Sequence, residues 1–223
     1  MNSTLAITQP NNRGYIWGTI YEKPTKQFEV EGESFYEGKL EVERLSEISD
    51  ILPFTISEKL LKAYDLDLEC GDKIKFIGEL RSYNKLVDGK SRLILSFFVK
   101  EVEIEETDNE TTNELSLIGF ICKTPVYRTT PFNRQICDVL LAVNRPNFNK
   151  SDYIPCILWG RNAKFIQNQE VGTKVSLVGR IQSRKYKKEI REGEFEERTA
   201  YEVSCQTIEI VSKEENTSSR DLA

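Results

Sequence analysis

Short apolar runs bounded by turn-forming residues recur along the chain, and one of them changes character abruptly. In DYIPCILWGRNAKFI, from Asp152 to Ile166, the residues up to Trp159 suit a half-buried β-strand. From Arg161 onward the run suits a short amphipathic helix. The pattern therefore predicts a strand that passes directly into a helix at Trp159-Gly160.

The whole pattern occurs twice along the chain. A constant offset of 101 relates nine pairs of identical residues: Gly18/Gly119, Ile20/Ile121, Pro24/Pro125, Val42/Val143, Arg44/Arg145, Gly71/Gly172, Lys73/Lys174, Gly78/Gly179 and Ser82/Ser183. The segments SDILP and SDYIP fit at an offset of 102. Chance matches would not keep register over this length, so the sequence contains an internal repeat.

Each copy has five strand-like runs, with one helix-like run between the third and fourth. In the first copy we predict strands at Tyr15–Lys23, Tyr36–Leu45, Ile51–Ile56, Lys73–Lys85 and Ser91–Glu103, and a helix at Ser57–Leu68. In the second copy we predict strands at Glu114–Lys123, Arg134–Arg145, Asp152–Trp159, Thr173–Lys188 and Arg198–Val211, and a helix at Arg161–Asn168. This order favours the OB arrangement, a small closed barrel. We predict an all-β chain of two tandem OB-fold five-stranded barrels, each with one short helix between strands 3 and 4.

The segments around the copies set the predicted domain boundaries. The acidic, polar run EIEETDNETTNE has no apolar periodicity, which is typical of a linker. The last residues, SKEENTSSRDLA, have the composition of a disordered tail. We therefore predict a first OB-fold domain at residues 13–105, a linker at 106–113, a second OB-fold domain at 114–211 and a disordered tail at 212–223.

Charge is distributed unevenly between the two copies. The net charge of the chain is −5, from 31 Lys and Arg against 36 Asp and Glu. Division at Thr112 gives −8 for the front part (14 against 22) and +3 for the rest (17 against 14). The second copy is therefore the better candidate for binding a polyanion.

Composition disfavours an enzyme. The chain contains no histidine, the commonest general base and metal ligand, and none of the phosphate-loop or nucleophile-elbow motifs. The five cysteines form no C-x-x-C pair, which favours reduced, mostly buried thiols over a metal site. No run reaches the length of a membrane span, and the N-terminus lacks signal-peptide features. We predict a cytoplasmic, non-enzymatic protein with no cofactor, no metal and no membrane contact.

From Leu115 to Val211 the chain resembles the bacterial single-stranded DNA-binding protein family. LIGFICKTPVYRTTP matches that family's first strand and turn, and LLAVNRP, DYIPCILWG and VGTKVSLVGRIQSRKY follow in the family's order. The first copy keeps the glycines and prolines of this plan but has Ile56-Ser57 in place of Trp159-Gly160. The resemblance implies binding of single-stranded DNA by the second copy.

The resemblance also implies site residues. Tyr153, Trp159 and Tyr186 match base-stacking positions of the family, and Phe148 matches less securely. A single strand exposes base faces and phosphates, so aromatic platforms interleaved with basic residues are the chemistry expected of such a site. The predicted nucleic-acid-binding set is therefore Tyr153, Trp159, Tyr186, Phe148, Arg128, Lys164, Arg180, Arg184, Lys185, Lys187 and Lys188.

Each of these signals has a structural alternative. Trp159 could close the end of the barrel, Tyr153 could lean on a neighbouring strand, and Arg128 could brace a turn. The basic cluster RKYKK could be a solvated hairpin that pairs with REGEFEER. In the acidic first copy, aromatic residues more often form core and interface, and we expect weak DNA binding by that copy alone. Tyr83, Lys85 and Arg92 form a weaker second patch there.

Two functions from different classes fit this sequence. The first is binding of single-stranded DNA with little sequence preference, protecting it in replication, repair or recombination. The alternative is an assembly adaptor that uses an OB barrel to bind primosome, recombination or conjugation proteins. The acidic front half and the ending SSRDLA, which lacks the family's acidic tip with a terminal phenylalanine, suit the adaptor. Two barrels per chain imply a homodimer that carries four, with replication or repair proteins as possible partners.

Overall fold

A computed structural model describes residues 10–46, 48–87, 89–104, 111–146, 149–191 and 193–211. The predicted tail at 212–223 lies outside the described residues, and so does the predicted linker up to residue 110. Apart from two short helices, the regular structure is β-strand.

The first copy forms a closed five-stranded barrel with a single helix. Its elements are β1 (Asn12–Val30), β2 (Glu33–Glu43), β3 (Ser49–Ser57), α1 (Glu58–Ala63), β4 (Lys73–Val87) and β5 (Lys90–Glu103). β1 pairs with β2, β2 with β3 and β4 with β5, all antiparallel, and β1 also pairs with β4. A parallel pairing of β3 with β5 closes the barrel.

The second copy repeats this topology. Its elements are β6 (Asn113–Ile121), β7 (Val126–Thr129), β8 (Gln135–Asn144), β9 (Ser151–Trp159), α2 (Gly160–Ile166), β10 (Lys174–Arg191) and β11 (Glu194–Ile210). β6, β8, β9, β11 and β10 close the second barrel in that order, with β9 and β11 again parallel. The predicted fold of two tandem OB barrels, each with one helix between strands 3 and 4, is confirmed.

Several bounds differ from the sequence prediction, most clearly in α1, which ends at Ala63 rather than Leu68, in β11, which starts at Glu194 rather than Arg198, and in β1. β1 continues to Val30, where Glu31 and Gly32 take positive φ and turn the chain into β2. The charged segment before this turn lacks the apolar alternation that signals a strand, although it pairs with β2. The short strand β7 was not predicted, because its four residues in the β6–β8 connection pair with β8 alone.

Alternation along the strands fills each barrel with apolar side chains. In the first barrel, Phe54 and Phe76 are fully buried with ring centroids 4.8 Å apart. In the second, Leu115, Leu141 and Leu158 are equally inaccessible. The alternate residues of each strand point to the outer face of the barrel, where a ligand can reach them.

The two barrels are joined by a pairing of their equivalent first strands. β1 pairs with β6 antiparallel, with Asn12 opposite Leu117, Gly14 opposite Leu115 and Ile16 opposite Asn113. The equivalent of each β1 residue lies 101 positions later, in β6. When both members of the pair Asn12–Leu117 are replaced by their equivalents, the result is Asn113–Ile16, which is another pair of the same register. The barrels are therefore related by a local two-fold axis between Gly14 and Leu115.

The same symmetry governs the polar contacts between the barrels. Asp50 and Asp152 are each 1% exposed, and each forms a two-point ion pair within its own barrel, with Arg44 and Arg145 respectively. Each aspartate also accepts a backbone N–H across the boundary. Ser183 donates to Asp50 Oδ1 at 2.7 Å and Ser82 donates to Asp152 Oδ1 at 2.6 Å.

Candidate nucleic-acid interface

β9 presents two predicted stacking residues on the outside of the second barrel. Ile154, Cys156 and Leu158 point into the core, so Tyr153 and Trp159 point outward. Tyr153 is 46% exposed at the start of the strand, and Trp159 is half-buried at its end. The two aromatic side chains therefore lie at opposite ends of one exposed strand face.

The strand-to-helix step at Trp159-Gly160 has a local cause. Gly160 adopts φ +52°, a left-handed conformation that L-residues with a side chain adopt at a cost. The Trp159 indole is held by a hydrogen bond from Nε1 to Ser204 Oγ at 3.2 Å. Ser204 lies on the outer face of β11, because its neighbours Val203 and Cys205 are buried. The hydrogen bond to Ser204 therefore holds the indole ring on that face, and the ring does not close the end of the barrel. Lys164 is exposed on α2, immediately after this step.

The basic cluster lies on a two-stranded hairpin that extends beyond the second barrel. We call it the arm, formed by residues 184–191 of β10 and 194–200 of β11. The Arg184 guanidinium carbon lies 5.7 Å from the centroid of the Tyr186 ring, so these two side chains share a face as predicted. The side chains of Lys187 and Lys188 are exposed.

The arm's two strands have opposite charges. Tyr186 pairs with Arg198, Lys187 with Glu197 and Lys188 with Glu196. Lys185 Nζ lies 3.3 Å from Glu197 Oε1. RKYKK therefore pairs with REGEFEER, as the alternative interpretation held. A polyanion on the arm would compete with these carboxylates for the same lysines.

Two predicted phosphate-contacting arginines already have carboxylate neighbours. Arg128 Nε donates to Asp138 Oδ2 at 2.7 Å, and this hydrogen bond raises the pKa of Arg128 above its ordinary value. Arg180 lies 3.7 Å from Asp50 at the boundary between the barrels. Desolvation and the nearby Arg44 lower the pKa of Arg180. Arg180 thus faces the first barrel, whereas Arg128 lies on β7 beside β8.

Phe148, the least secure of the predicted stacking residues, lies outside the described residues. Phe132 and Phe165 are exposed aromatic residues in the second copy. Neither belongs to the predicted set.

A cleft of about 860 Å³ separates the arm from the first barrel. Tyr186 and Lys188 line it from the arm, and Tyr83 lines it from β4. Other cleft residues that the sequence prediction did not include are Lys39, Lys90, Arg198 and Tyr201. Arg198 could have been found from the hairpin register, because it is the cross-strand partner of Tyr186.

Tyr83 and Arg92 of the predicted second patch both line this cleft. The Tyr83 hydroxyl donates to Glu37 Oε1 at 3.2 Å. Burial and the Glu37 carboxylate raise the pKa of Tyr83 to about 12, so it stays protonated near neutral pH. The cleft thus joins arm residues to the second patch of the first barrel.

The described part of the chain also defines the arrangement of its metal-ligating groups, its thiols and its helices. Among the described residues, no group of three or more His, Cys, Asp or Glu side chains is placed to hold a metal ion. All five cysteines are free, with Cys137, Cys156 and Cys205 buried and Cys70 exposed. The helices within the described ranges are too short to cross a membrane.

With the geometry established, the molecule is a tandem OB-fold protein with aromatic and basic side chains on the outer surface of its second barrel. The sequence of that barrel, residues 112–211, matches the single-strand binding protein family. The second barrel thus matches the family that the sequence resemblance indicated.

Named relatives match less than half of the chain. "Single-stranded DNA-binding protein 1" of Staphylococcus aureus is 32% identical over 105 residues, which are 44% of this chain and 60% of that protein. "Single-stranded DNA-binding protein 3" of Streptococcus agalactiae is 36% identical over 80 residues, 33% of this chain and 58% of that protein. The chain thus spans less than two thirds of the length of these relatives.

The solved structures extend the likeness in fold to both barrels. The wild-type single-stranded DNA-binding protein of Thermus aquaticus aligns with 91% of this chain and 93% of its own, with a TM-score of 0.70 and 18% identity. The similarity in fold therefore covers the divergent first barrel of this chain as well as the second.

Proposed function

We propose that this chain binds single-stranded DNA with little sequence preference and performs no chemistry on it. The observation that carries the proposal is the outer face of β9, where Tyr153 is exposed and Trp159 is half-buried on a barrel that matches the single-strand binding protein family. Relatives of this chain are named single-stranded DNA-binding proteins. Stacking on aromatic rings tolerates sequence because every base has a π-face.

Electrostatic contacts complete the proposed site. Bases stack on Tyr153, Trp159 and Tyr186, while phosphates contact the basic residues that surround them. The proposed phosphate contacts are Arg128, Lys164, Arg184, Lys185, Lys187 and Lys188, with Arg180 at the barrel boundary. Phe148 remains a predicted stacking residue. Each neutralised phosphate should contribute about 0.7 to the slope of log affinity against log salt.

The proposal is tested by titrating the full chain with oligo-dT while its tryptophan fluorescence is recorded. The chain has two tryptophans, Trp17 and Trp159. Trp159→Phe keeps an aromatic ring but removes one reporter, so its residual quenching measures the contribution of Trp17. We expect most of the quenching to disappear in this variant while the affinity changes little.

Affinity is tested with a second set of variants. Tyr153→Ala combined with Trp159→Ala should weaken oligo-dT binding about 100-fold, since each stacked base contributes about 1–3 kcal/mol. Tyr15→Leu is the matched control, because it removes a ring from the β1–β4 side of the first barrel. Unchanged affinity in the double variant would reject the site and favour the protein-binding adaptor. Loss of binding in both variants would point to general damage.

For the assembly, we propose a homodimer that carries four barrels, since closed two-fold dimers are the commonest oligomers. Light scattering should then give a mass of about twice the 25.8 kDa of one chain. A mass of one chain would reject the dimer. Protection of single strands in replication, repair or recombination is the cellular role that we propose for such an assembly, with proteins of those processes as partners.

A further inference from the structure

Trp159 has no sequence counterpart in the first barrel, but its place on the surface is filled in another way. In the second barrel, Trp159 ends β9 and its indole contacts Ser204 of β11. By strand register the equivalent residues in the first barrel are Ser57 of β3 and Phe98 of β5. The second barrel thus has its aromatic residue on the third strand and its serine on the last strand, and the first barrel has the reverse. At this pair of positions, each barrel has one aromatic ring on its outer surface.

The register supports this equivalence at several points. Ile157 pairs with Ser204 in the second barrel, and Thr55 pairs with Phe98 in the first. Trp159 pairs with Ile136 of β8, and Ser57 pairs with Phe35 of β2. A bulge precedes Gly179 in the second barrel and Gly78 in the first. The aromatic residues Phe35 and Phe98 thus replace an isoleucine and a serine.

Three rings form one continuous surface at this position, which we call the aromatic platform. It consists of Phe28, Phe35 and Phe98. Phe28 and Phe35 are stacked, with ring centroids 5.1 Å apart and an interplanar angle of 16°. Phe35 and Phe98 follow at 5.8 Å. Phe28 is 42% exposed and the other two are half-buried, so the platform is open to solvent at one end.

Two cations border the platform in the otherwise acidic first copy. Lys100 Nζ lies 4.8 Å from the Phe98 ring centroid, and the Arg81 guanidinium carbon lies 6.0 Å from it. Within the described residues, Lys100 has no carboxylate at ion-pairing distance. Aromatic faces beside basic groups are the combination that binds bases together with phosphates.

Arg81 also connects the platform to the second barrel. Its guanidinium pairs with Glu79 on the same strand, and its Nη1 donates to Asp152 Oδ2 at 3.2 Å. Asp152 is followed directly by Tyr153, the first residue of the proposed stacking row. Arg81 therefore contacts both the Phe98 ring and the residue that precedes Tyr153.

We propose that the aromatic platform is a second base-stacking site for the same single strand that binds to the second barrel. This inference rests on the proposed function of that barrel. It assigns to the acidic first barrel a direct role in holding single-stranded DNA, with Phe98 and Phe35 as the stacking residues and Lys100 as a phosphate contact. The first barrel alone is still expected to bind weakly, because its net charge opposes a polyanion.

The first experiment places a fluorescent reporter in the platform. Phe98→Trp is introduced into the full-length Trp159→Phe chain, which itself provides the background from Trp17. Titration with a long oligo-dT should quench the added emission strongly. No added quenching, in a chain that still binds oligo-dT, would overturn the platform and leave the proposed function intact. Failure of the wild-type chain to bind oligo-dT would reject both.

The second experiment removes the rings but keeps apolar side chains. Phe35→Leu with Phe98→Leu should weaken binding of a long oligo-dT about tenfold, the lower part of the range expected for one base stacked on the two adjoining rings. Tyr15→Leu is again the control, because Lys75 Nζ lies 5.0 Å from its ring centroid in a similar cation–π pair elsewhere on the barrel. Circular dichroism must show that the double variant stays folded. Equal affinities of this folded variant and the control would overturn the proposal.

If the double variant unfolds, the proposal is tested with Lys100→Gln instead, because Lys100 is exposed and its substitution leaves the core unchanged. The salt dependence of oligo-dT binding should then become shallower by about 0.7 on the log–log plot, the contribution of one phosphate contact. An unchanged slope would count against the proposal. The fluorescence result with Phe98→Trp remains an independent test in either case.

Discussion

The residues at the end of each third strand determine how its barrel passes from strand to helix. In the first barrel, Ser57 Oγ accepts the N–H of Leu60 at 3.2 Å and so caps α1. In the second, Trp159 makes no side-chain capping bond, and Gly160 takes φ +52° instead. One barrel therefore starts its helix with a capping side chain, and the other with backbone freedom.

Substitution of Gly160 tests this account. Gly160→Ala should lower the free energy of unfolding by about 1 kcal/mol, because a Cβ disfavours the left-handed region. Space is not the reason, since a Cβ at this position would meet nothing within 4 Å. Gly160→Asn is the matched control, because Asn tolerates this conformation better. Equal losses of thermal stability in the two variants would contradict the explanation.

The thiols should differ widely in reactivity. Burial raises the pKa of Cys137 to about 11 and that of Cys205 to about 12, so both stay protonated near neutral pH. Cys70 is exposed. At pH 8, a thiol reagent should modify Cys70 rapidly and the two buried thiols only on unfolding. Cys70→Ser should abolish the fast phase, and a fast phase that survives would contradict this assignment.

At the scale of elements, the glutamates of the arm compete with phosphate for the arm's lysines. Glu197→Gln removes the carboxylate 3.3 Å from Lys185 and should strengthen oligo-dT binding about twofold to fivefold at low salt. The gain should vanish at high salt. Glu209→Gln is the control, since Glu209 lies on the same strand outside the arm. A gain of the same size in the control would indicate a change in net charge only.

Strand order and the barrel class could be predicted from the sequence. Alternation marks each strand locally, and the 101-residue repeat is found by comparing the sequence with itself. The extension of β1 to Val30 was not, since its stability depends on pairing with β2 rather than on an apolar pattern. Tyr153 and Trp159 were correctly expected to share a strand, because both lie in one short run. Their outward orientation, with Ile154 and Leu158 buried between them, follows from the same alternation.

The aromatic platform could not be predicted in this way. Phe28, Phe35 and Phe98 come from three strands, and nothing local marks them as neighbours. The sequence comparison put Ile56-Ser57 in place of Trp159-Gly160 and so suggested a loss of the aromatic residue. The replacement becomes visible only from the strand pairing, which puts Phe98 opposite Thr55 and Phe35 opposite Ser57.

At the scale of the molecule, the aspartates at the barrel boundary link stability to pH. Burial opposes ionisation of Asp50, but Arg44 and the Ser183 donors outweigh it, so the pKa of Asp50 lies below its ordinary value. The resulting stability is complete above the ordinary carboxyl pKa and is lost as the pH falls through the lowered folded value. Acid should therefore weaken the contact between the barrels.

This link can be measured by thermal unfolding between pH 6 and pH 3. Asp50→Asn should lose on the order of 2 kcal/mol of stability at pH 6, because it leaves Arg44 without its charged partner. It should also show a smaller decline towards acid than the wild type. Asp67→Asn, at an exposed position on the surface, is the control. A parallel decline in Asp50→Asn and the wild type would exclude Asp50 as the source.

The local two-fold axis between Gly14 and Leu115 has a genetic consequence. In a dimer of identical chains, one codon change alters both halves at once, so an exchange such as Trp159/Ser204 for Ser57/Phe98 would have to be tolerated twice. Here each half has its own codons. One half can keep its ancestral surface while the other accumulates changes, which allows the acidic copy to acquire a different surface without disturbing the basic one.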